Sequence, residues 1–462
     1  MSNNLKNNQL NIVEVIALSV AIIAPTFAMS MNVGLMVSTV SYSVSIVFII
    51  STILMSFVAI SFVKFNQYFS SAGSAYTFIE KSLGKRASAI GGWALLLAYI
   101  AFSAGCSAAF GSLFSSFILE LSGISIPWIV SAIFCEFLIW YISYSDIKLS
   151  TNIMLVIEAA SILLVIILAI VILIKVGSSN GLSSVPFEGN GNSISSYAAG
   201  IVYAILCFGG FEGASSLGEE SKNPKKSIPI AIFSTVIVAG IIFVFVSYAQ
   251  VIGFGATEVG IEAFKNSPSS IVELSNKYMG NIFTILITLA ISVSAFSTAL
   301  GSMTASSRLL YSLSKDKNVP QVFSLVHEKH HTPYIAVNTI GVIIVIPILA
   351  LLNHDGVEVF GYIGTTGALA LLLVYLMTSL SSIVYFGKNK IWTWQLVIPI
   401  IALLVLGFTF YSNIYPIPAF PNNLFPYIVL GWIVIGNIIT EIYRKNIGVD
   451  VVSNIASNVT NN

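Results

Sequence analysis

The sequence predicts an all-α membrane protein of twelve transmembrane helices, on three observations. Only 8% of its 462 residues are charged and 56% are hydrophobic, whereas about a quarter of a soluble domain is charged. Apolar runs of the length a bilayer requires, about 20 residues for about 30 Å of hydrocarbon, follow one another from residue 12 to residue 444. Finally, when loops are assigned alternately to two sides, all of the 20 Lys and Arg residues except Lys175, Lys265 and Lys277 fall on one side. Cytoplasmic loops carry the Lys/Arg excess, so both termini are expected to be cytoplasmic, in the cell (inner) membrane. One miscounted helix would scramble that asymmetry, which therefore also supports twelve.

The predicted spans cover residues 12–37, 43–66, 88–118, 126–144, 151–176, 193–216, 227–255, 274–313, 333–352, 357–384, 391–412 and 423–444. The residues before the first run lack the basic start, short apolar core and small-residue cleavage site of a secretory signal, so that run is expected to be a retained span. The long eighth run should reach past the bilayer into the cytoplasm. Net charge is +1 with no basic patch, so no nucleic-acid partner is expected. Cys106, Cys135 and Cys207 are odd in number and sit in apolar runs, as packing thiols rather than a disulfide framework.

Two spans depart from plain membrane helix. The first contains Ala24-Pro25-Thr26-Phe27-Ala28, then Asn32 and Gly34; the sixth contains Cys207-Phe208-Gly209-Gly210-Phe211-Glu212-Gly213. Proline removes a backbone donor and clashes with the preceding turn, and paired glycines lower the cost of unwinding. Non-helical backbone at that depth persists only where protein or a wet cavity satisfies it; otherwise such residues simply kink the helix. The two interruptions occupy corresponding places in two five-helix halves, the expected mark of inverted repeats with a midplane site. This gives a ten-helix core over residues 12–384, two accessory helices over 391–444, and cytoplasmic tails at 1–11 and 445–462.

Three stretches carry a family resemblance. After the sixth span come Phe211-Glu212-Gly213 and Glu219-Glu220-Ser221-Lys222-Asn223-Pro224-Lys225-Lys226; after the eighth, Ser307-Arg308, Tyr311, Asp316 and Pro320; in the tenth, Gly361-Tyr362-Ile363-Gly364-Thr365-Thr366-Gly367. Over roughly residues 10–445 the chain resembles the amino acid–polyamine–organocation permeases. The resemblance implies a LeuT-type 5+5 fold that moves amino acids or amines by alternating access. It further implies that substrate carboxylate and ammonium meet freed backbone of helices one and six, here Ala24, Pro25, Thr26, Phe27 and Ala28, and Leu206, Cys207, Phe208, Gly209 and Gly210. Half-helix ends carry the partial charges such a site requires. The sequence departs from the Gly-rich first break of many members, and Pro25 lacks one amide donor. In helix three, Tyr99, Phe102, Ser103 and Cys106 share a face by i, i+3, i+4, i+7 spacing, which suits either pocket lining or packing.

Glu158 lies mid-span, where an ionised side chain costs about 2.5–3.5 kcal/mol on insertion scales. At a position where many proton-coupled relatives hold a lysine, it is a candidate to carry the coupled proton or help hold a cation; alternatively it is a protonated acid bonded to a neighbouring helix. Glu212 resembles a glutamate linked to proton sensing or gating, or else bonds the unwound backbone. Ser297 and Thr298 resemble a sodium-ligating hydroxyl pair, or else back-bond to the preceding turn. Glu136 reads as peripheral or structural.

His327-Glu328-Lys329-His330-His331 matches the HExxH pattern of zinc proteases, which requires a helix; Thr332-Pro333 directly after it argues against one. Asn458-Val459-Thr460 matches a glycosylation site in a tail expected to be cytoplasmic. No catalytic activity, metal or cofactor is expected. The sequence reads as a secondary active transporter importing amino acids, proton-coupled, with sodium as the other candidate ion; the alternative is an amino acid/amine exchanger or polyamine transporter.

Overall fold

The structure, a computed structural model, describes residues 9–460 except positions 146, 180, 190, 416 and 419, and at 148, 149 and 446–460 the backbone alone. Lys6 and most of the expected N-terminal tail lie outside the described residues, as do the side chains of Asn458, Val459 and Thr460.

Among the described residues there is no strand ladder, only an isolated parallel bridge between Leu10 and Ser221. In chain order the helices are α1 (Ile12–Ile23), α2 (Pro25–Met31), α3 (Val33–Val40), α4 (Val44–Tyr68), α5 (Ala75–Leu83), α6 (Lys85–Ser122), α7 (Trp128–Ser145), α8 (Ile147–Ser179) and α9 (Ile194–Phe208). A 3-10 turn over Phe211–Leu217 follows. Then come α10 (Pro224–Phe254), α11 (Glu258–Asn266), α12 (Ser270–Met279), α13 (Asn281–Lys315), α14 (Tyr334–Ala350), α15 (Gly356–Lys388), α16 (Val397–Ser412) and α17 (Phe425–Thr460).

Eleven helical segments among the described residues are long and apolar enough to cross a bilayer; the chain is a multi-pass membrane protein. The run expected at 333–352 is α14, apolar but only 17 residues long. The run expected at 274–313 is divided: Gly280, at φ 85°, caps α12 by donating to Ser275 and Asn276 carbonyls, and α13 starts only at Asn281. The expected span ran through the polar residues Ser275, Asn276, Lys277 and Asn281 that flank the turn.

The start of α1 is set by a reciprocal cap. Asn11 Oδ1 accepts from the amides of Val13 and Glu14 at 2.8 and 3.1 Å, while Glu14 Oε2 accepts from Asn11 N–H at 2.7 Å. The core is organised around α6, whose apolar length is buried throughout and which packs along α13 and α15. α16 and α17 are far more exposed and sit at the periphery.

Candidate functional site

The first break is one residue wide. Ala24 takes left-handed dihedrals (φ 43°, ψ 71°), ending α1 with its N–H on Val20 O, and Pro25 opens α2 as its first helical residue. A proline there forfeits only a donor that a helix start leaves unpaired. The break is held from α13: Thr298 Oγ1 donates to Ala21 O at 3.2 Å and also lies 3.4 Å from Ser294 O, and Phe27 N–H donates to Ser294 Oγ at 3.4 Å. Thr26 Oγ1 is buried without a hydrogen bond.

The second break follows α9. Gly209 is extended in ψ (130°) and Gly210 left-handed (φ 99°). A Cβ on Gly210 would lie 2.0 Å from Ile22 Cγ2, so glycine is required there by both conformation and space. Ile22 is the contact through which the two breaks meet. Ser19 Oγ adds a tie, donating to Phe211 O at 2.8 Å.

Between the breaks lies a cavity of about 30 Å³ whose walls include Phe27, Ala28, Phe102, Cys106, Leu206 and Gly209, together with Ile22, Ile23, Asn32, Thr298 and Phe360. Six of the residues expected at the site are thus brought together. Cys207 instead turns its thiol toward Ala28 O (4.0 Å), Phe208 packs on Phe243 (5.0 Å), and Gly210 presses on Ile22. Ala24, Pro25 and Thr26 form the break without lining the cavity. A larger vestibule of about 300 Å³ shares Asn32, Leu206 and Phe360 with it and reaches Lys265 and Glu358. The Phe360 ring, which lines both spaces, meets Phe27 edge-on at 4.8 Å.

Glu212, fully buried in the turn after the second break, accepts from Tyr99 Oη at 2.9 Å and Tyr375 Oη at 2.6 Å. Tyr375 Oη in turn accepts from Gly210 N–H at 3.3 Å. Glu158, buried on α8, accepts from Ser294 Oγ at 3.3 Å, with Ser297 beside the same carboxyl. Ser294 therefore stands between Glu158 and the amide of Phe27. Farther along α13, Arg308 meets Glu220 through two bonds of 2.6 and 2.9 Å, both side chains 1% exposed. Glu220 O also accepts from the amides of Gln9 and Leu10.

Sequence reasoning missed Tyr375, Ser294 and Phe360. Ser294 was within reach, since it lies one turn before Thr298 on the same helix face. The segment from His327 to His331 forms a turn before α14 rather than a helix, so its histidines do not stack along one helical face. No cluster of three or more metal-ligating side chains occurs among the described residues.

Comparison with known proteins agrees with this architecture. A family model described as amino acid permease matches residues 14–447. The low-affinity putrescine importer PlaP of Escherichia coli (strain K12) is 25% identical over 324 residues, 67% of this chain and 70% of that protein. The branched-chain amino acid permease BcaP of Bacillus subtilis (strain 168) is 29% identical over 338 residues, 69% of each. The human cystine/glutamate transporter is 25% identical over 292 residues, 62% of this chain and 56% of that protein. With the match extending from α1 into α17, the chain belongs to the amino acid permease family of the amino acid–polyamine–organocation superfamily.

Proposed function

We propose that this permease imports a neutral amino acid across the cell membrane by proton-coupled alternating access. The observation that carries the reading is the cavity between the breaks, whose walls hold no charged side chain. A zwitterion's charges are then left to freed backbone and to Asn32 and Thr298, while Ile22, Ile23, Phe27, Phe102 and Phe360 suit an uncharged side chain. The similar branched-chain permease fits this choice. A volume of about 30 Å³ matches roughly one water, so substrate access requires the Phe27–Phe360 contact to open.

In this reading the spans number twelve with α14 included, its 17 residues reaching about 25 Å. The first ten form the 5+5 repeat, and both termini are cytoplasmic. The vestibule at Lys265 is the outer mouth; the Glu212 and Glu220–Arg308 contacts close the inner one. Glu158 is the proton carrier, because Ser294 links its carboxyl to the first break, and Glu212 senses closure. Thr298 already donates to Ala21 O, which leaves sodium the weaker candidate.

A second reading, amine exchange or polyamine import, draws on the similarity to a putrescine importer and on the two carboxyls flanking the breaks. Uptake into proteoliposomes separates the two. Neutral amino acid import should accelerate under an inside-alkaline gradient without sodium. Putrescine flux that needs internal amine and ignores the gradient selects the second reading.

A further inference from the structure

A glutamine inside an apolar span is costly unless both ends of its amide find partners. Gln250 lies near the end of α10 and is 2% exposed. Its Nε2 donates to Met29 O, on α2, at 3.3 Å, and its Oε1 accepts from the hydroxyl of Ser270, the first residue of α12, at 2.6 Å. A main-chain carbonyl can only accept, so the amide nitrogen must face Met29. The amide oxygen then faces Ser270, whose hydroxyl must donate. One buried side chain therefore joins the half-helix that follows the first break to the hairpin of α11 and α12.

The hairpin is also seated directly on both of its neighbours. Ser30 Oγ of α2 and Ser269 Oγ share a hydrogen bond at 2.7 Å. At the end of α10, Gly253 O accepts from Lys277 Nζ and Tyr278 Oη, both at 2.8 Å, and Phe254 stacks on Phe264 at 4.4 Å. The route to the cavity runs between the two elements that Gln250 joins. Phe27, Ala28 and Asn32, on and just after α2, line the cavity, while Lys265, Ser267 and Pro268 of the hairpin line the vestibule. We propose that Gln250 is a positioning residue for import: it binds α2 to the α11–α12 hairpin, so that the cavity wall carried by α2 follows the vestibule wall carried by the hairpin. This rests on the reading of the cavity as the import site. Without the bridge α2 spends less time in the binding geometry, and apparent affinity falls by the fraction of time lost.

The test compares the full-length native protein with Ser270→Ala and Gln250→Met, by hydrogen exchange in detergent and by leucine uptake into proteoliposomes. Ser270→Ala alters the hairpin alone, yet exchange across Pro25–Val40 should quicken about threefold or more together with that of Glu258–Met279, because the tie passes through Gln250. Gln250→Met keeps the side-chain length, removes both bonds, and should give the same pattern more strongly. The half-saturating leucine concentration should rise about fivefold or more, with the maximal rate per folded protein kept within about twofold. A merely structural loss would lower the maximal rate and leave half-saturation in place. Exchange confined to the hairpin in Ser270→Ala, or an unmoved half-saturation in both variants, would overturn the proposal. If Gln250→Met fails to fold, Ser270→Ala carries both readouts. A native protein that does not import leucine counts against the neutral-substrate reading instead, and the exchange arm still decides whether Gln250 joins the two elements.

Discussion

Tyr375 reaches from α15 to place its hydroxyl 2.6 Å from Glu212 Oε2, at the turn that follows the break in α9. The same hydroxyl accepts from Gly210 N–H, so it satisfies a carboxyl and an unwound backbone amide together. Tyr375→Phe should therefore cost about 1–3 kcal/mol, the penalty of buried polar groups left unpaired. Tyr99→Phe removes one bond of 2.9 Å and no backbone contact, so its loss should be smaller. Melting temperatures of the two variants check the order; an equal or reversed order would mean that the Gly210 contact contributes nothing.

Arg308 and Glu220 make a second buried tie, between α13 and the segment leading into α10. Removing one partner strands the other charge away from water, at about 3–5 kcal/mol. Arg308→Met alone should thus be severely destabilised, while Arg308→Met combined with Glu220→Met should recover much of the loss, because no charge is then left unpaired. Arg308→Lys should also fall short, since an ammonium cannot reproduce the two-pronged geometry. A thermal-melt double-mutant cycle gives the coupling directly; additive losses would refute it.

Ile22 distinguishes two glycines of the second break. A Cβ on Gly213 would lie 2.3 Å from Ile22 Cδ1, the free end of a side chain. Gly213→Ala should lose about 1–3 kcal/mol by overpacking and be rescued by Ile22→Val, which deletes that methyl. Gly210→Ala meets Ile22 Cγ2 and Cβ and also the left-handed φ of 99°. The same partner substitution should not rescue it, because the backbone strain remains. Folded yield and melting temperature of the four variants decide between the two behaviours.

The breaks were legible because proline and paired glycine act on their own backbone. Pro25 removes its own donor and Gly210 supplies its own φ, whatever packs nearby. The turn at Gly280 was passed over although Ser275, Asn276 and Lys277 before it and Asn281 after it are turn-type residues, because helix resumes on both sides of the single glycine and the long apolar run after it drew the boundary outward. Tyr375 and Phe360 escaped for a different reason. A buried aromatic in an apolar span looks like any other until tertiary packing decides which face meets the break. Glu158 could be singled out by its cost in a membrane, but its partner Ser294 depended on how α8 and α13 approach.

Asp316 offers a pH test outside the bilayer. Partial desolvation of its carboxyl, then the negative charge of Glu80, raises its pKa above the ordinary value, against lowering by Tyr76, Lys315 and Lys81. A raised folded value means that the folded chain binds the proton more tightly than the unfolded one. Stability from this group is therefore full below the unfolded value and lost as pH rises through the folded one. Asp316→Asn should raise the melting temperature at about pH 8, with the gain shrinking as the pH falls into the carboxylate range. A gain that grew on acidification would reverse the assignment.

The proton role of Glu158 is tested by separating charge from hydrogen bonding. Glu158→Gln preserves size and can still accept from Ser294 Oγ, but it cannot titrate. Its uptake should continue at a low rate and lose its acceleration by an inside-alkaline gradient, with little change in melting temperature. Ser294→Ala keeps the carboxyl and cuts both its bond to Glu158 and the one that receives Phe27 N–H. Gradient dependence should survive there in weakened form, because the proton still binds but no longer reaches the first break through a shared hydroxyl. Maximal uptake should fall about tenfold or more, equivalent to about 1.4 kcal/mol in the limiting step. If Glu158→Gln follows the gradient as the native protein does, the proton is carried elsewhere. Glu212, the other buried carboxyl at the breaks, then becomes the group to replace.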